Sequence, residues 1–338
     1  MILNEIWFLL VGVLLIGYAI LDGFDLGVGA LHLFSRGDTE RRLLINAIGP
    51  VWDGNEVWLV TAGGALFAAF PHAYATAFSA FYLPFILLLF MLIFRALAIE
   101  FRGKEPMGWW RRMWDVSFCV ASIVASVLFG VAIGNMALGI PVGPDMEYQG
   151  NLLTLLGPYP LLVGVFNLSI FTMHGAIYLY MKTEGDLQRK VKGWIVRATA
   201  FFIILYVLTT VYTLAAVPSM IANFRDYPWI WGLVVLNVLA IANIPRAIYH
   251  EWPFRAFLSS CAAIAALISL FGMGVYPNLI RSTLGDAFNL TIVNAASSQK
   301  TLGIMLLIAV IGIPFVLAYT AAIYWIFRGK VRLGEHSY

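Results

Sequence analysis

Charge is what this chain has least of. Only 12% of its 338 residues are Asp, Glu, Lys or Arg, about half the share found in a soluble domain. So few charges cannot cover a globule in water, which excludes a soluble domain. The formal net charge is only +3, and no basic, aromatic-interleaved stripe is present, which argues against a nucleic-acid partner. Cysteine is almost absent. Cys119 and Cys261 both fall in apolar segments and read as reduced packing residues rather than a disulfide or metal pair. There is no CxxC or CxxCH, so covalent c-type haem attachment is excluded. Metal-ligand spacings such as HxxxH and ExxH are also missing. The N-terminus has no basic n-region and no small-residue cleavage site, so its first apolar stretch is expected to be a retained helix.

Hydrophobic residues make up 61% of the chain. A helix crossing the hydrocarbon core needs about 20 of them in succession. Stretches of that kind are expected at 6–34, 43–70, 74–101, 115–139, 159–181, 194–217, 228–250, 253–276 and 302–327. Backbone polar groups in lipid must be satisfied within the segment, so these are helices. The fold class is an all-α integral membrane protein with nine transmembrane helices in a single membrane domain, 1–338. Helices 1–4 occupy 1–139, helices 5–8 occupy 140–301, and helix 9 with its tail occupies 302–338.

Basic residues orient the helices. Arg36, Arg41 and Arg42 follow helix 1, Arg102, Lys104, Arg111 and Arg112 follow helix 3, and Lys182, Arg189, Lys190 and Lys192 follow helix 5. Arg328, Lys330 and Arg332 lie in the tail, whereas the opposite side has only Arg225, Arg281 and Lys300. The positive-inside rule then puts the N-terminus outside and the C-terminus in the cytoplasm, as an odd number of helices requires.

Charges inside a bilayer are costly and mark function by default. Helix 1 carries Asp22 and Asp25, helix 2 carries Asp53 and Glu56, and helix 3 carries Arg95 and Glu100. Asp25 lies eleven residues before Arg36, and Asp53 eleven after Arg42; at the helical rise both sit about 16 Å from the cytoplasmic boundary. Asp22 and Glu56 lie about 21 Å in. Each acidic pair is spaced i, i+3 and shares a helix face, so antiparallel helices 1 and 2 are expected to form a two-rung ladder of four carboxyls. Desolvation and repulsion keep such a set from ionising fully, which suits proton transfer. Arg95 can pair with one of the four, and Glu100 can serve as the uptake point. The competing reading is a satisfied polar network that fixes helix packing. Gly23 with Gly27, and Gly63-Gly64, are expected to permit close helix approach. Trp109, Trp110, Trp114, Trp229, Trp231, Trp252 and Trp325 read as interfacial anchors, whereas Trp52 and Trp58 flank the acidic run and are expected to line a pocket. His174, deep in helix 5, reads as a hydrogen-bonded helix histidine in preference to a haem ligand.

Two sequence runs carry a family resemblance: Leu21-Asp22-Gly23-Phe24-Asp25-Leu26-Gly27-Val28-Gly29 and Trp52-Asp53-Gly54-Asn55-Glu56-Val57-Trp58. With Thr61-Ala62-Gly63-Gly64, Arg111-Arg112-Met113-Trp114-Asp115, Gly134-Asn135, Ser297-Ser298-Gln299 and the terminal His336-Ser337-Tyr338, the chain resembles subunit II of the cytochrome bd quinol oxidases over essentially its whole length. The resemblance implies two four-helix bundles plus one peripheral helix. It implies a haem-free accessory subunit of a complex in the prokaryotic plasma membrane that oxidises quinol and reduces oxygen to water. Haem b and haem d are then held by the partner, subunit I, which this chain stabilises. A cytoplasmic proton path through Asp25, Asp53, Glu100 and Tyr338 is implied, with Asp22, Glu56 and Arg95 as neighbours. Trp58, with Trp52, is implied at the mouth of an oxygen tunnel or in a quinone pocket, since some relatives hold a structural quinone. Small single-helix subunits and membrane lipid complete the implied partners. Glu100 stands where a relative has an aspartate, so the acid is kept but lengthened. No metal and no catalytic residue is assigned to this chain. The rival reading from residues alone is a proton-coupled secondary transporter or ion channel, with the carboxyl ladder as its coupling site.

Overall fold

The structure, a computed structural model, describes residues 1–334. Twelve α-helices follow in order: α1 (Ile2–Leu31), α2 (Gly37–Ile48), α3 (Trp52–Ala69), α4 (Pro71–Ala80), α5 (Tyr82–Phe101), α6 (Gly108–Leu138), α7 (Pro158–Lys182), α8 (Gly185–Ala216), α9 (Asn223–Asp226), α10 (Ile230–Tyr249), α11 (Pro253–Val275) and α12 (Gln299–Ile326). Two short antiparallel strands, β1 (Asn278–Ile280) and β2 (Leu290–Thr291), lie between α11 and α12.

Among the described residues, eight helices are long and apolar enough to cross a membrane: α1, α5, α6, α7, α8, α10, α11 and α12. The expected second and third spans are each broken in two. Gly49-Pro50 separates α2 from α3, because a proline ring clashes with the preceding turn and has no N–H to give it. Phe70, before Pro71, separates α3 from α4, and Phe81 separates α4 from α5. Pro71, Pro158 and Pro253 each open a helix, where the missing N–H costs nothing. Gly139 closes α6 at φ 91°, and the Ser298 hydroxyl caps α12 by accepting the Thr301 N–H.

At the centre of the molecule, α7 packs against α1, α6, α8 and α11. Glycine makes its two closest approaches possible. A Cβ on Gly27 would lie 1.8 Å from the Phe171 carbonyl oxygen, and one on Gly175 would lie 2.5 Å from the Gly27 backbone. Gly130 and Gly134 of α6 meet the α7 backbone at 2.5 Å and 2.6 Å in the same sense. Small residues let backbones touch where lipid offers no hydrophobic drive for association. The expected seam at Gly63-Gly64 is not formed within the chain, since nothing lies within 4 Å of either position. α12 is the opposite of α7: among its described residues only Leu302 is buried.

One end of the molecule is closed by the loops. Asn4 donates to the Ile292 carbonyl at 2.6 Å, Trp7 donates to the Leu302 carbonyl at 3.0 Å, and the Ser297 N–H donates to the Ala69 carbonyl at 2.8 Å. At the other end, Lys190 of α8 binds Glu40 of α2 at 2.6 Å. Partial burial opposes ionisation of Glu40, yet the Arg36 N–H and the Lys190 ammonium hold its carboxyl below the usual range.

Replacing Gly175 with Ala should destabilise the protein by about 1–3 kcal/mol, the range for overpacking a tight contact. Gly232→Ala, at a position with open space, should leave stability unchanged or raise it. Thermal unfolding in detergent measures both; equal midpoints would contradict the seam.

Candidate functional site

The acidic run of α1 meets α3 and α5 around one guanidinium. Arg95, on α5, is almost fully buried, and Asp22 is fully buried. Nη1 of Arg95 lies 2.7 Å and 2.9 Å from the two Asp22 carboxylate oxygens, and Nη2 lies 3.1 Å from Oε2 of Glu56. Glu56 remains partly exposed. One cation thus bridges acids from two other helices, and hydrogen bonds accompany the charges, as a buried ion pair needs to hold.

Asp25, also fully buried, has a different partner. The Asn55 amide donates to its Oδ2 at 2.8 Å and to the Leu21 carbonyl at 3.1 Å. The amide oxygen accepts from the Tyr324 hydroxyl of α12 at 2.8 Å. The other Asp25 oxygen, Oδ1, is buried and has no hydrogen-bond partner among the described residues.

The expected ladder of four carboxyls is therefore three carboxyls and an amide. Asp53 is exposed on the outer face of α3 and does not join Asp25. The reason is helical phase. Trp52, Asn55, Ala62 and Ala69 form the buried stripe of α3. Asn55 is centred on α1, and Asp53 lies about 200° round the helix from it. Glu56 is about 100° away, and its longer side chain reaches back to Arg95. The i, i+3 rule relates Asp53 to Glu56 but cannot say which residue faces the neighbour. Helical spacing points to Asn55 and Ala62, seven residues apart, but a polar Asn at the seam is hard to rank above two acids from sequence. Tyr324 had no sequence signal that set it apart from the other hydroxyls of α12, Thr301, Tyr319 and Thr320.

Glu100 sits half-buried in the last turn of α5. Tyr338 lies outside the described residues. Trp52 is buried, and Trp58 lies across α1 at Gly17, where a Cβ would come within 2.2 Å of its ring. Trp58 thus forms a contact between α1 and α3 and remains partly exposed.

A histidine that ligates haem iron needs a ring nitrogen free of other partners. His174 does not offer one: Nδ1 lies 2.7 Å from the Ser260 hydroxyl and Nε2 lies 3.0 Å from the Ile20 carbonyl. Its ring stacks on Phe257. Among the described residues, no group of three or more His, Cys, Asp or Glu is gathered as a metal site requires. With both ring nitrogens engaged, His174 does not fit a haem ligand.

A second polar cluster, not anticipated as a unit, closes the end where α1 and α5 finish and α6 begins. Asp115 of α6 is fully buried. It receives His32 Nε2 at 2.5 Å, Arg102 Nε at 2.6 Å and Arg41 Nη1 at 2.8 Å. Arg102 continues to Asp38 at 2.8 Å. An acid at the first turns of an apolar helix, near several arginines of flanking loops, was the available signal. The cluster ties the segments flanking the carboxyl site and holds them in register.

This geometry has close relatives. The family described as cytochrome bd terminal oxidase subunit II matches residues 3–327. Cytochrome bd-I ubiquinol oxidase subunit 2 of Escherichia coli (strain K12) is 38% identical, covering 98% of this chain and 95% of that relative. Cytochrome bd ubiquinol oxidase subunit 2 of Bacillus subtilis (strain 168) is 34% identical, covering 97% of each. A chain from the structure of bd oxidase from Geobacillus thermodenitrificans shares the fold with a TM-score of 0.81 at 15% identity, over 97% of this chain and 99% of that one. Near-complete coverage by relatives of this kind, together with eight membrane-length helices, makes this a multi-pass plasma-membrane protein. By its sequence the chain belongs to the cytochrome bd terminal oxidase subunit II family.

Proposed function

We propose that this chain is the haem-free accessory subunit of a cytochrome bd-type quinol oxidase, carrying part of a proton path from the cytoplasm. The observation that carries this reading is Asp25, a carboxyl buried at membrane depth that, among the described residues, has no cation bonded to it and one oxygen without a partner. Asp22 and Glu56 share the Arg95 guanidinium. Asp25 is thus the member of the set suited to take up and release a proton, as intramembrane acids in relays do. Glu100 lies five residues along α5 from Arg95, about 8 Å nearer the cytoplasm, in position to feed it. The proton route also includes Asp53 and Tyr338, and Trp58, with Trp52, stands separately at the mouth of an oxygen tunnel or quinone pocket. The relatives reported above are oxidase subunits, which favours this reading over a transporter or channel.

The architecture of this reading is nine membrane crossings with the N-terminus outside and the C-terminus cytoplasmic. α3 is the ninth crossing, less apolar than the rest because it carries Asp53, Asn55 and Glu56. α1 to α6 build one bundle, α7 to α11 the second, and α12 stands at the periphery. Haem b, haem d and the quinol-oxidising chemistry belong to the partner. The open face of α3, with Asp53, Gly54, Val57, Val60, Thr61 and Gly64 exposed, is where the haem-bearing subunit packs. Lipid cannot cover a carboxylate such as Asp53, in the first turn of a crossing helix, cheaply, and Gly54 and Gly64 leave room for a close neighbour. A structural quinone and small single-helix subunits are compatible additions.

Three outcomes follow from this reading. Asp25→Asn should slow quinol-dependent oxygen consumption by roughly a hundredfold, the scale of a lost proton-transfer group, with haem content unchanged; wild-type turnover would refute the proton role. Arg95→Met strands Asp22 and Glu56 and should cost about 3–5 kcal/mol of stability, seen as a lowered thermal midpoint or failed assembly. The chain purified with its partner should show haem absorbance and the chain expressed alone should show none; stoichiometric haem on the isolated chain would end the accessory-subunit reading.

A further inference from the structure

Asp25 is held from a direction the sequence motifs do not include. The Leu21 carbonyl only accepts hydrogen bonds, so the Asn55 group facing it at 3.1 Å must be the NH₂. That settles the amide's orientation. The same NH₂ donates to Asp25 Oδ2 at 2.8 Å, and the amide oxygen is left facing α12, where the Tyr324 hydroxyl donates to it at 2.8 Å. The chain of donors runs in one direction, from Tyr324 to Asn55 to Asp25. An amide does not pass protons along such a chain; it orients the carboxyl at its end.

Tyr324 is partly buried, although most of α12 is exposed. Just beyond it, Lys182 at the end of α7 donates to the Phe327 carbonyl. Lys330 donates to the Thr183 carbonyl at 2.8 Å, and the Val331 N–H donates to the Lys182 carbonyl at 2.8 Å. Tyr324 and Val331 both pack on the main hydrophobic core. The last turn of α12 and the segment after it form a strap from α3 to the end of α7, with Tyr324 as its inward-facing group.

We infer that Tyr324 is a positioning residue for Asp25: through Asn55 it occupies Oδ2 and leaves Oδ1 as the one carboxyl oxygen open to proton exchange. The inference rests on the proton-path reading of Asp25. The titratable groups that act on Asp25 are Asp22 on α1, Glu56 on α3, Arg95 on α5, Tyr178 on α7 and Tyr324 on α12. Of these, Tyr324 reaches the Asp25 carboxyl through a hydrogen-bonded amide.

The test uses the assembled oxidase with Tyr324→Phe, Asn55→Ala, Asp25→Asn and, as a control, Tyr319→Phe, whose hydroxyl-bearing ring is exposed on α12. Turnover is followed across pH, haem content by absorbance, and the Asp25 carboxyl stretch by infrared difference spectroscopy, identified by its loss in Asp25→Asn. Tyr324→Phe should slow turnover by about fivefold, the rate equivalent of one hydrogen bond. It should also displace the pH profile and shift the Asp25 band at normal haem content. Asn55→Ala should do the same by about tenfold, since its bond is to a carboxyl, and it carries the test if Tyr324→Phe does not assemble. Tyr319→Phe should match wild type. An unmoved pH profile and band in Tyr324→Phe and Asn55→Ala, with Asp25→Asn slow, overturns the positioning role alone. Wild-type turnover in Asp25→Asn overturns the proton path and the inference together.

Discussion

A guanidinium surrounded by apolar helices is the constraint on which the rest of this molecule depends. Arg95 cannot be neutralised in a protein, so its burial obliges the fold to bring acids to it. Asp22 and Glu56 meet that demand from α1 and α3. Three helices are thereby fixed in depth and rotation by a single side chain. The pairing also sorts the acids by chemistry. Two are tied to a permanent cation, and the third, Asp25, is left with an amide. The contrast between bound and unbound carboxyls arises from helix phase, without any special local backbone.

Two scales of interaction then share the work. In lipid the apolar faces gain little by meeting one another, so close backbone contact and polar pairing decide which helices associate. The glycines of α1, α6 and α7 supply the first, and the carboxyl set and the Asp115 cluster supply the second. The two polar clusters lie at different levels, one at membrane depth and one at the end where α1 and α5 finish. Together they hold α1, α3, α5 and α6 at two levels.

Much of this was legible in the sequence. Long apolar runs gave the helices, Asp22, Asp25, Glu56 and Arg95 announced themselves as charges in lipid, and the Gly23–Gly27 spacing marked the face of α1 that meets α7. Illegible features have a common cause. Asp53 and Glu56 share a face, yet which part of that face meets α1 depends on rotation, and rotation is set by neighbours rather than by spacing. Asn55 was overshadowed by the acids flanking it, and Tyr324 is three hundred positions from the acid it serves only in sequence. The helix breaks at Gly49-Pro50 and Phe81 were hidden because hydropathy averages across a bend. His32, Arg41, Arg102 and Asp115 sit at segment ends, where charges are ordinary, so nothing marked them as one cluster.

The glycine seam carries a mechanical consequence. Helices whose backbones touch cannot bend independently, because there is no side-chain layer between them to yield. α1, α6 and α7 therefore form a stiff keel, while α8, α10 and α12 present long side chains to the lipid. Bilayers differ in thickness, and a protein accommodates by tilting what is free to tilt. Here the outer helices absorb that mismatch, and the backbone spacing of α1, α6 and α7 stays constant from one membrane composition to another.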